Sequence, residues 1–186
     1  SVSGVRISCT KSIKKRILLE GLFLLLLLTG LAASTLRFPQ QKYFLGPVSI
    51  SNDVPPFYKS LIVWFLENKA SSQQTKALAS PTNAFRPDYL AVDPAALLSR
   101  IETIDALDKL LAAISEGRYR VPVLVKKYFN FGAKLVCFNV DPDFNNSLDG
   151  LILLPLKGFP KEHLKTLIKV LPAEQQEMIL CDSPLS

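Results

Sequence analysis

Two stretches decide how this chain folds: Lys42-Tyr43-Phe44-Leu45-Gly46-Pro47-Val48-Ser49-Ile50-Ser51 and, further along, Phe138-Asn139-Val140-Asp141-Pro142-Asp143-Phe144-Asn145-Asn146-Ser147-Leu148-Asp149-Gly150. Each is an apolar run passing straight into polar turn formers, the pattern of a strand that stops at a turn. The first predicts a buried strand over residues 43–51, ended by Asn52-Asp53-Val54-Pro55-Pro56. A helix over 57–68 follows, with Leu61, Ile62, Phe65 and Leu66 in one apolar stripe. The second predicts strands over 133–140 and 148–156 joined by an Asp/Asn/Pro turn, an antiparallel hairpin with a long loop.

Residues 70–87 are rich in Ser, Gln, Thr and Pro and read as an exposed loop. Asp93-Pro94 supplies an N-cap and a first-turn proline for another helix. Its stripe runs Leu97, Leu98, Ile101, Ile104, Leu107, Leu110 and Leu111, with a break near Thr103. A short helix over 121–131 starts at Val121-Pro122 and stops at Gly132. Ahead of all this lie a strand over 4–10, a basic loop and an apolar helix over 17–36; behind it come an amphipathic helix over 159–171 and a tail, 172–186. The order β-α-β-α, more helices, then a hairpin predicts an α/β domain with a mixed sheet flanked by helices.

The run 17–36 has two readings. Lys14-Lys15-Arg16, Leu22 to Leu28 and Ala32-Ala33-Ser34 could be the charged, apolar and cleavage regions of an export signal or anchor. Against that, Glu20 lies inside the run, and the 16 uncharged residues from Gly21 to Leu36 fall short of the roughly 20 a spanning helix needs. A fully buried helix of an α/β domain is equally apolar on nearly every side. Both readings stand on the residues alone.

A net charge of +6, concentrated in Lys11, Lys14, Lys15 and Arg16, favours acidic partners such as anionic lipid, phosphate or an acidic protein. Nothing interleaves aromatics with bases as a nucleic-acid binder would, so no nucleic-acid partner is expected. Cys9, Cys137 and Cys181 are too widely spaced for a disulfide framework or a metal site and read as reduced cytosolic thiols. The one histidine, His163, sits among Lys161, Glu162 and Lys165 on a polar helix face. No nucleophile–base pair can be assembled from this inventory.

Taken in order, the strand, basic loop, apolar helix, Tyr-Phe-Leu-Gly-Pro-Val-Ser-Ile-Ser strand and helix resemble the second half of a GNAT-fold N-acyltransferase. Val121-Pro122-Val123-Leu124-Val125-Lys126-Lys127-Tyr128, Gly132 and Phe138-Asn139-Val140-Asp141-Pro142-Asp143-Phe144 follow in the same register. The branch is the bacterial one labelled putative hemolysin, similar to ornithine-lipid enzymes that move a fatty acyl chain from acyl carrier protein to an amine. The likeness covers roughly residues 4–160; it implies a partial GNAT-like domain over 1–171, with a helical insertion near 70–131 and the early strands of the fold upstream of Ser1.

The resemblance implies an acyl-phosphopantetheine thioester as donor, on acyl carrier protein or CoA, and no metal. It puts the donor's phosphate or the carrier against Lys14, Lys15 and Arg16, where the family's loop is glycine-rich and this one has no glycine. It makes Tyr58 the candidate acid for the leaving thiolate, and Asn139, Asp141 and Asp149 the candidates for orienting an amine. Asp143, Asn145 and Asn146 read as turn formers from their own side chains. The implied location is cytoplasmic, peripheral to the inner membrane, with a sister subunit or missing amino-terminal half as a possible partner. Two rivals come from other classes: an exported or membrane-anchored non-enzymatic domain, and a truncated module that docks a carrier without acyl transfer.

Overall fold

The computed structural model describes residue 30 and residues 40–88 and 93–155, and nearly all of these fall in one unit, Lys42–Gly158. The strand expected over 4–10, the apolar helix 17–36, the cluster Lys14, Lys15 and Arg16, the helix 159–171 and the tail lie outside the described residues. In chain order the elements are β1 (Tyr43–Ile50), α1 (Pro56–Lys69), α2 (Gln73–Lys76), α3 (Pro94–Leu97), α4 (Ile104–Ile114), α5 (Val123–Asn130), β2 (Lys134–Asp141) and β3 (Ser147–Pro155). This is an α/β arrangement.

The three strands form one sheet in the order β1-β3-β2. Both pairings are antiparallel, Tyr43 opposite Pro155 through Ile50 opposite Leu148, and Phe138 opposite Gly150. A mixed sheet was expected; the described strands give an antiparallel one. The hairpin joining β2 to β3 falls where the polar turn predicted it. Asp141 Oδ1 accepts the N–H groups of Asp143 (2.9 Å) and Phe144 (3.2 Å), and Asn145 and Asn146 turn the chain with φ of 53° and 51°, the left-handed region that Asn tolerates best after glycine.

Alternation gives the sheet two unlike faces. On one, Val48, Ile50, Leu148, Ile152, Leu154, Leu135 and Phe138 are buried. Gly150 opposes Phe138 on this face, and a Cβ there would come within 2.9 Å of the Phe138 ring. The other face carries Tyr43 and Leu45, 53% and 61% exposed. β1, expected to be a buried strand, is therefore buried on one side only, because among the described residues no helix lies over its alternate residues.

Helices α1 and α2 pack on β2, α5 packs on β1, and α4 contacts both α1 and α5. The predicted stripe of α1 is buried with Val63 added, and Lys59 and Ser60 are buried beside it. The expected break at Thr103 separates α3 from α4: Asp93 Oδ1 accepts from the Ala95 N–H (2.9 Å) and the Thr103 hydroxyl from the Ala106 N–H (3.2 Å), each satisfying an orphan first-turn donor. Gly132, at φ 83°, ends α5 as predicted.

Residues 70–87 are not the simple exposed loop expected. Ser72 and Thr75 form a reciprocal capping box on α2. Leu135 donates its N–H to the Ala70 carbonyl (2.8 Å), and Val140 donates to Asn83 (2.8 Å). The reason is that β2 lies at an edge of the described sheet, and its outward backbone groups need partners.

Candidate functional site

The end of the sheet where β1 and β2 finish and β3 begins gathers three of the sequence-predicted residues. Ser49, Asp149 and Asn139 fall in one register row across the three strands, and Asp141 lies opposite Ser147. Their polar groups are engaged internally. Asn139 Oδ1 accepts the Asn83 N–H (2.8 Å) and its Nδ2 donates to the Val140 carbonyl (3.2 Å), so this side chain ties the 79–88 segment to β2. Asp141 caps the hairpin turn, and Asp149 Oδ1 accepts from the Ser147 hydroxyl (3.0 Å). Among the described residues Asp149 accepts this one bond and Asp141 two on a single oxygen, so of the three Asp149 has the most capacity left for an incoming N–H.

α1 starts just beyond this end, after a turn closed by Ser51: its hydroxyl donates to Asp53 (2.9 Å) and its carbonyl accepts the Val54 N–H (3.2 Å). Tyr58 is the third residue of α1. Its half-buried ring lies edge-on to Phe57 at 5.2 Å and 4.7 Å from Tyr119, tilted by 34°. No side chain caps α1 at Pro55, and its first turn has no acidic residue, so the positive end of the helix faces the neighbourhood of the phenol, with the Asp53 carboxylate in the preceding turn. The Tyr58 hydroxyl makes no hydrogen bond among the described residues.

Next along the helix, Lys59 is only 5% exposed and donates through Nζ to Asn52 Oδ1 (2.7 Å). Burial pulls its pKa down, and the nearby Asp53 opposes that shift. Lys59 thus pins the turn between β1 and α1 and brings positive charge to the end of α1 that carries Tyr58. Sequence reading missed it because a lysine beside an apolar stripe looks like a solvated flank.

A second missed group fixes Tyr119. Asp108 on α4 is 4% exposed, accepts from the Val121 N–H (3.1 Å) and Lys126 Nζ (3.0 Å), and forms an ion pair with Arg120 Nε at 3.5 Å. Lys126 also reaches Asp105 at 3.2 Å. Its pKa is raised, chiefly by the bond to Asp108. The segment 118–122 is held by this carboxylate and by Ser115, whose hydroxyl accepts the Tyr119 N–H (2.9 Å).

A scan against protein-family models and searches of the curated proteins and of the solved structures found no match for this chain. Among the described residues no cluster of His, Cys, Asp or Glu could hold a metal ion, and no helix is long and apolar enough to cross a membrane.

Proposed function

We propose that this chain works as a GNAT-like N-acyltransferase, taking an acyl group from a phosphopantetheine thioester to an amine. Tyr58 is the acid in this reading. The observation that carries it is the placement of Tyr58: a half-buried phenol with no hydrogen bond among the described residues, in the uncapped first turn of the helix that follows the Gly46-Pro47-Val48-Ser49-Ile50-Ser51 strand. Attack by a neutral amine on the thioester carbonyl builds a tetrahedral centre, whose collapse expels a thiolate. The phenol O–H donates its proton to that sulfur, the amine's surplus proton passes to solvent, and the phenolate takes a proton back from solvent. The positive helix end and the buried Lys59 ammonium favour the thiolate as charge develops. The donor's phosphate or its carrier engages Lys14, Lys15 and Arg16, and Asp149 helps to orient the amine.

The carrier-docking reading is favoured by one observation, that Asn139 spends both its polar atoms on the fold and Asp141 spends one carboxylate oxygen on the hairpin turn. Amine-dependent release of free thiol separates the two readings. The full-length protein is incubated with an acyl-phosphopantetheine thioester on acyl carrier protein, and separately with acyl-CoA, each with a primary amine. Thiol release matched by N-acyl product supports transfer. Carrier binding without either product supports docking alone.

A further inference from the structure

Along its outer edge β2 is clamped twice, at Leu135 by Ala70 and Ser71 and at Asn139 and Val140 by Asn83 and Ala84. Between the clamps lies a cleft of about 290 Å³, lined by Cys137 and Phe138 of the strand, with Phe85 from the covering segment. Glu67 of α1 and Lys76 of α2 line it too. The Glu67 carboxylate is half-buried and has no hydrogen bond or close ion pair among the described residues. Burial pushes its pKa up, while the charge of Lys76, an exposed side chain, pulls the other way from a distance.

A carboxylate drawn partly out of water with no donor facing it costs stability, and a cationic N–H donor entering the cleft would restore what water no longer fully supplies. The half-buried Phe85 of the covering segment offers contact to an apolar body and to a cation alike. We propose that this cleft is a binding site for a small organic cation, a primary ammonium on a short apolar stem, with its nitrogen held by Glu67. The volume is at the small end for ligand pockets, which keeps the stem to a few carbons. Glu67 is nine residues beyond Tyr58 on the same helix, about 13 Å along its axis at 1.5 Å per residue. A nitrogen held at Glu67 is not the one that meets a thioester at Tyr58, so the site stands independently of the proposed reaction.

The test is a titration of the isotope-labelled full chain with n-butylammonium chloride, followed by amide NMR, with n-butanol and butyrate as controls. Saturating shifts at Phe85, Cys137 and Phe138 are expected with the ammonium alone. Glu67→Gln should weaken binding by roughly tenfold or more, the scale of one charge-assisted bond. Lys76→Ala should tighten it by removing a competing cation. Binding should fade with falling pH above the ordinary carboxylate range, because Glu67 protonates early. Equal shifts with butanol or butyrate, an unchanged response in Glu67→Gln, or weaker binding in Lys76→Ala, the mark of a seat for a zwitterion, would each overturn the proposal.

Discussion

Removing the Asp108 carboxylate tests how the Tyr58–Tyr119 contact is held. In Asp108→Ala the Val121 N–H loses its acceptor in a place where Val121 is 4% exposed, and an orphaned buried donor costs about 1–3 kcal/mol. Losing the ion pairs adds little. Lys126, whose side chain is 31% exposed, keeps Asp105, and the Arg120 guanidinium, on a side chain 60% exposed, rehydrates. Taking the middle of that range, about 2 kcal/mol, and at most about 1 kcal/mol for the exposed pairs, the sum is about 2–3 kcal/mol, below the 3–5 kcal/mol of a buried pair broken with no substitute partner. Asp108→Asn keeps an oxygen for Val121 and should lose only about 1 kcal/mol. At about 2–4 °C per kcal/mol for a chain of this size, thermal unfolding should drop by roughly 4–12 °C in the alanine variant and by a third to a half as much in the asparagine variant. Equal losses in the two variants would refute the assignment of the main effect to the Val121 bond. So would a loss under about 1 kcal/mol in Asp108→Ala.

Other outcomes follow from the same structure. Gly150→Ala drives a Cβ to 2.9 Å from the buried Phe138 ring and should cost about 1–3 kcal/mol by overpacking, read by urea denaturation; Gly150→Ala with Phe138→Leu should recover part of it. Thr103→Ala removes the α4 cap and should cost about 1 kcal/mol, with Thr103→Ser nearly silent. The two lysines titrate in opposite senses. Lys59 has a folded pKa below its unfolded value of about 10.4, so the unfolded chain binds more protons and stability rises with pH between the two values. Lys126 has a raised folded pKa, so its contribution is complete below about 10.4 and is lost as pH rises through the higher folded value. Unfolding measured against pH in Lys59→Met and Lys126→Met should delete the rising and the falling part in turn.

The elements were legible where local chemistry fixes them. Asp93 announced a helix start through its side-chain acceptor, Thr103 read only as a break and proves to cap the next helix, Gly132 announced a stop that needs positive φ, and the Asp/Asn run announced the hairpin turn. Long-range partnership was not legible. Nothing in 70–87 says that Ala70 and Asn83 complete the edge of a strand more than 50 residues away, and so the segment read as a loop. β1 read as buried because Tyr43 and Leu45 are apolar, although their side of the strand is more than half exposed. For the candidate site, Asn139, Asp141 and Asp149 were found from their place at a strand end, but their internal bonds depend on neighbours that sequence does not show. Lys59, Glu67 and Asp108 went unnoticed because a charge on a helix reads as solvated until the packing around it is seen.

The most direct test of the acyl-transfer reading is turnover of the full-length protein against its Tyr58→Phe variant, followed as amine-dependent thiol release from an acyl-phosphopantetheine thioester. The account predicts a fall in kcat of at least tenfold with KM for the donor little changed, since the ring and its contact with Tyr119 survive and only the proton donor is lost. Undiminished turnover in Tyr58→Phe would contradict the role of Tyr58, and the absence of amine-dependent release by the unmodified protein would contradict the reading as a whole.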